Sequence, residues 1–79
     1  MDTFYLDDMT VGETAAVQEL LTTGELRRRL LDLGLVPGTR VECVGQSPAG
    51  DPKAYLIRGT AIALRREDAH GVLMRREVM

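Results

Sequence analysis

Three arginines in a row, Arg27-Arg28-Arg29, are the residues of this chain best suited to recognising something. A guanidinium presents a planar fork of donors that pairs with carboxylates and phosphates, so the run offers a contact for an acidic protein face or an anionic membrane leaflet. The plainer reading is a solvated helix face balanced by Glu25 and Asp32, the usual fate of helical charge runs. Arg65 and Arg66, beside Glu67 and Asp68, read the same way. The remaining reactive types stand alone. Cys43 is the single cysteine, at an inward position of a predicted strand, and reads as a small core residue. His70, the single histidine, has only Glu67 and Asp68 nearby in sequence. Iron and zinc sites draw on several convergent ligands, so no metal site is expected. Gly50-Asp51-Pro52 lacks the Lys-Ser/Thr of a phosphate-binding loop and opens no helix. No nucleophile has a base beside it and no carboxylates pair across a pocket, so neither catalytic residues nor an enzyme is expected.

These residues must be held by short elements, and the clearest is the helix around the arginines. Thr22 stands three residues before Glu25, the spacing of a capping box. Leu26, Leu30 and Leu33 then fall at i, i+4 and i+7 on one face, and Glu25 is placed to pair with Arg29 at i, i+4. Gly34 suits the left-handed residue that ends a helix, with Leu35 folding back onto Leu30. Val36-Pro37-Gly38-Thr39 carries the Pro-Gly pair of a type II turn. Strands are predicted over Thr14 to Leu20, from Arg40 with Val41 and Cys43 inward, over Ala54 to Arg58, Ala61 to Leu64, and Val72 to Arg75. In the first, Ala15 and Val17 alternate with Ala16 and Gln18. Leu6 and Met9 suit one helical turn, Glu67 to His70 another, and Ser47 to Pro52 a loop between strands. The fold class that follows is mainly β with one short helix: a small SH3-like barrel of about five strands, bent so that no edge stays open.

The 79 residues make a single domain spanning 1–79, of a size that buries only about 60% of its unfolded surface. The formal charge of −2 lacks the basic surplus of a nucleic-acid binder. One cysteine forms no internal disulfide, which favours a cytoplasmic setting. No apolar run approaches the roughly 18 residues of a membrane span and no basic-then-apolar leader opens the chain, so no direct membrane insertion is expected. No cofactor is implied.

Three phrases in sequence carry a family resemblance. Arg29-Leu30-Leu31-Asp32-Leu33-Gly34-Leu35-Val36-Pro37-Gly38 is similar to the Arg-x-Leu-x-x-Leu-Gly-Leu/Met-x-Pro-Gly of FeoA-type domains, offset only in which leucine fills the second slot. Pro48-Ala49-Gly50-Asp51-Pro52 and Ala63-Leu64-Arg65-Arg66-Glu67-Asp68-Ala69 resemble two further segments of that family. The departures are Lys53 where an aliphatic residue is common, Gly71 where a larger residue is common, and Leu73 where an outward polar residue is usual. The resemblance implies a cytosolic accessory or regulatory protein of bacterial ferrous-iron uptake. Its partner would be the membrane ferrous-iron transporter FeoB, through that protein's cytosolic GTP-binding part. The alternative it implies is a metal-sensing or transcription-associated domain, related to the C-terminal SH3-like domain of metal-dependent repressors. The candidate partner-binding residues are Arg27, Arg28 and Arg29, with Leu56 and Leu73, which would make an apolar patch if both face outward.

Overall fold

Six antiparallel strands form one sheet in the computed structural model, which describes residues 2–77. They are β1 (Thr3–Tyr5), β2 (Thr14–Leu20), β3 (Arg40–Gln46), β4 (Lys53–Ile57), β5 (Thr60–Leu64) and β6 (Val72–Arg75). Their order across the sheet is β1-β6-β2-β3-β4-β5. The helix α1 (Gly24–Asp32) joins β2 to β3, the short α2 (Arg66–Ala69) joins β5 to β6, and a 3-10 turn (Leu6–Asp8) follows β1. The SH3-like barrel and its five expected strands are therefore present. β1 is an addition, too short at three residues to show a period. The expected closure is not met among the described residues: β1 and β5 end the sheet, each pairing on one side only.

The core follows from the period-two residues of the strands. Val41 and Cys43 of β3, Tyr55 and Ile57 of β4, and Val72 and Met74 of β6 are all buried. Leu6 and Met9, in and just after the 3-10 turn, and Leu30 and Leu35, in α1 and just beyond its end, close the cluster. Tyr55 keeps its hydroxyl satisfied inside by donating to the Leu6 carbonyl at 3.3 Å. In β2 the alternation fails, because Ala15, Ala16 and Val17 are all buried. Ala16 lies between Arg40 of β3 and Arg75 of β6, so two long side chains flank a methyl group. A register irregularity between Val17 and Glu19 bends the strand there. The Pro37-Gly38 turn docks on that irregularity: the Gly38 amide donates to the Val17 carbonyl, and the Val17 amide to the Thr39 carbonyl.

The end of α1 is built as the sequence requires. Gly34 has φ 103°, the Leu35 amide donates to the Leu30 carbonyl at 3.1 Å, and the Gly34 amide to the Leu31 carbonyl at 2.9 Å. That pair of bonds is a Schellman motif. The start of α1 differs from expectation. Thr23 is the N-cap and makes no side-chain cap bond, while the Thr22 hydroxyl is buried without a partner. Thr22 is drawn inward by β6: its methyl fills the space that a side chain at Gly71 would need, and the Leu21 amide donates to the Gly71 carbonyl. Glu25 does not pair with Arg29, whose guanidinium goes to Asp68 instead.

Candidate partner-binding surface

The arginine run lies on the exposed side of α1 because Leu30 must face the core. The three side chains have different fates. Arg27 Nη1 donates to the Leu20 carbonyl at 3.5 Å, at the limit of a hydrogen bond. Arg29 Nη2 donates to Asp68 Oδ2 at 2.7 Å and so ties α1 to α2. The Arg29 side chain is 60% exposed, and a solvated pair of this kind contributes little to stability. Arg28 makes no hydrogen bond or ion pair among the described residues. Of the three, it is the one whose charge is uncommitted.

Leu56 and Leu73 are both half-buried. Register places them on the same, outer side of the sheet but not side by side. Leu56 of β4 pairs with Glu42 of β3, and Glu42 with Thr14 of β2. Leu73 of β6 pairs with Glu19 of β2 and Tyr5 of β1. Two strands, carrying polar residues at these positions, put the leucines three strand spacings apart, roughly 14 Å across the sheet, and the offset from Thr14 to Glu19 along β2 separates them further. Leu56 instead adjoins Ala61 across the β4–β5 pair and lines a shallow groove with Thr14, Arg40, Glu42, Arg58 and Gly59.

Arg58 is a residue the sequence reading passed over. It has φ 51° in a two-residue hairpin turn, followed by Gly59 at φ 82°, and its side chain lies over Gly34 at the end of α1. A positive charge there complements the carboxyl end of the helix dipole. The available signal was an Arg-Gly pair between two strands, a place where Asn-Gly would be commoner. Lys53, noted only as a departure, anchors the 3-10 turn: its ammonium donates to the Asp7 carbonyl at 2.8 Å and the Met9 carbonyl at 2.6 Å.

The two candidate ligand types are engaged elsewhere. Cys43 is fully buried, and burial pushes its thiol pKa up, which disfavours the reactive thiolate. His70 Nδ1 lies 3.1 Å from Asp7 Oδ1, and its ring packs on Tyr5 at 4.2 Å. Among the described residues, no three His, Cys, Asp or Glu side chains are grouped to hold a metal ion. No helix among them is long and apolar enough to cross a membrane.

The sequence matches the FeoA domain over residues 4–76. The chain belongs to the FeoA family. Against the Fe(2+) transport protein A/Fe(2+) transporter FeoB fusion protein of Porphyromonas gingivalis it is 34% identical over 64 residues. That match takes in 81% of this chain and 8% of the fusion protein. The structure of a FeoA-like protein from Clostridium acetobutylicum superposes with a TM-score of 0.89 at 26% identity, covering all of this chain and 92% of that one. The IdeR protein of T. acidophilum contains the same fold in 35% of its length, with a TM-score of 0.83 and coverage of 98% of this chain. At 18% identity that likeness is of fold alone.

Proposed function

We propose that this FeoA domain is a non-catalytic, cytoplasmic accessory protein of ferrous-iron uptake that acts by binding the transporter FeoB. The observation that carries this reading is the fused relative, in which a homologous domain and the transporter share one chain. Fusion holds two modules at high effective concentration and replaces an association that separate chains must make for themselves. The contact falls on the outer side of α1, led by the uncommitted Arg28 with Arg27 and Arg29 beside it, or on the outer sheet around Leu56 and Leu73. An arginine face suits an acidic partner surface, and its reach is limited to about one Debye length, roughly 8–10 Å in physiological salt.

The test is a titration of isotope-labelled protein with the soluble GTP-binding part of FeoB from the same organism, followed by amide shifts. Shifts clustered on α1 or around Leu56 and Leu73 are expected. Their absence throughout the titration would remove the GTP-binding part as partner. A parallel titration with ferrous ion separates the accessory reading from a metal-sensing one, since only the second requires a response to metal without the partner.

A further inference from the structure

The two ends of the sheet are treated differently by this sequence. β1 is only three residues long, with Phe4 under the Arg76 guanidinium at 4.7 Å and Tyr5 packed on His70. Short, covered edges of this kind are protected from adding a further strand. β5 has none of these defences. It runs Thr60-Ala61-Ile62-Ala63-Leu64 without a charge or a proline, and among the described residues it pairs only with β4.

Hairpin geometry identifies which backbone groups are free. Ile57 and Thr60 flank the two-residue turn and form a pair, and in such hairpins the flanking pair is hydrogen-bonded. Alternation then makes Tyr55–Ile62 and Lys53–Leu64 the hydrogen-bonded pairs. The N–H and C=O groups of Ala61 and Ala63 therefore point to the open side. Neither residue makes a backbone bond outside the sheet among the described residues, and both are exposed. Their methyl side chains lie on the outer side beside Ala54 and Leu56, leaving room above the alanines for a bulky apolar group to reach Leu56. Arg65 continues the row, exposed and with no ion pair among the described residues.

We propose that the free edge of β5 is a docking strand for an extended, antiparallel segment of a partner protein, patterned acidic-x-apolar-x-apolar. The acidic residue faces Arg65, and the two apolar residues lie over Ala63 and Ala61, the second reaching Leu56 behind Ala61. A second copy of this chain fits poorly in the symmetric register about Ile62. There the turn residue Arg58 of one copy would meet Arg65 and Arg66 of the other at each end of the pair, and like charges gathered at both ends repel. The inference goes beyond the FeoB reading and does not require that FeoB supply the segment.

The probes are a capped Thr-Glu-Thr-Leu-Thr-Leu-Thr peptide and its twin with Lys in place of Glu, titrated to about 1 mM against the labelled protein. The expected result is slowed hydrogen exchange and amide shifts centred on Ala61 and Ala63, with the Glu peptide about fivefold to tenfold tighter. Arg65→Glu should reverse that preference. Ala61→Pro removes a donor that β4 does not use, an edge position where proline is tolerated, and should abolish binding while the remaining spectrum stays native. If Ala61→Pro fails to fold, the Arg65→Glu reversal still decides. The proposal is overturned by absence of binding at about 1 mM, by equal affinity for the two peptides, or by shifts centred elsewhere. Sedimentation showing a dimer that protects the same two amides would also overturn it, with a second copy as the occupant.

Discussion

Gly34 holds a position that no other residue fills comfortably. Its φ of 103° lies in the left-handed region, and a Cβ would meet Arg58 Cδ at 3.0 Å and Ile57 Cγ2 at 3.2 Å. The conformational cost for an L-residue is about 1–2 kcal/mol before any crowding. Gly34→Val should therefore lose roughly 2 kcal/mol or more in urea unfolding, and a loss under about 0.5 kcal/mol would show that the helix end relaxes freely. Glu13 is the residue to watch with pH. Its Oε1 accepts from the Thr10 amide at 2.7 Å and the Thr10 hydroxyl at 2.9 Å, and its Oε2 from Arg76 at 3.2 Å. The Thr10 amide foremost, then the Thr10 hydroxyl and Arg76, lower its pKa from the ordinary 4.5. A lowered folded-state value means the contribution is present above the unfolded value and is lost as pH falls through the folded one. Glu13→Gln should flatten the acid side of the stability profile below the ordinary value of 4.5, while an unchanged slope would place the acid sensitivity in other carboxylates.

At the scale of elements, the ends of α1 show what was legible and what was not. The Gly34 stop was readable because a helix end is local: one glycine, one apolar residue after it, one proline beyond. The start was misread because the fate of Thr22 is decided by β6, a strand fifty residues later that no local pattern reveals. The two readings predict opposite signs. As a capping residue, Thr22 would lose about 1 kcal/mol on replacement by valine. As a buried hydroxyl without a partner, it should gain about 1 kcal/mol, so Thr22→Val is expected to raise the thermal midpoint. Leu30 belongs to the legible part. It is fully buried, and Leu30→Ala should cost about 2–4 kcal/mol in urea unfolding; a change below about 1 kcal/mol would mean that the helix packs through Leu26 and Leu33 alone. The Arg29–Asp68 bridge joins two helices and displaces the expected Glu25 pair, again because the partner is remote in sequence.

Across the whole molecule, β3, β4 and β6 were readable from period two, whereas the three-residue β1 and the sheet order were not. β6 inserts between β1 and β2, a long-range pairing, and that insertion leaves Leu56 and Leu73 apart and β5 at an edge. The same layout sorts the candidate contacts by how cleanly each can be tested. Arg27 reaches the Leu20 carbonyl and Arg29 reaches Asp68, so replacing either changes internal bonds as well as surface charge. Arg28 touches no partner among the described residues, and Arg28→Glu should leave stability within about 0.5 kcal/mol. If α1 meets an acidic face of FeoB, the substitution reverses a charge at the rim of that contact. Association with the GTP-binding part should then slow, and the difference from the parent protein should shrink as salt is added, because rim charges act mainly on the encounter rate and are screened. Equal association rates for the two proteins at low salt would return the arginine run to a solvated face and leave the outer sheet around Leu56 as the surface to test.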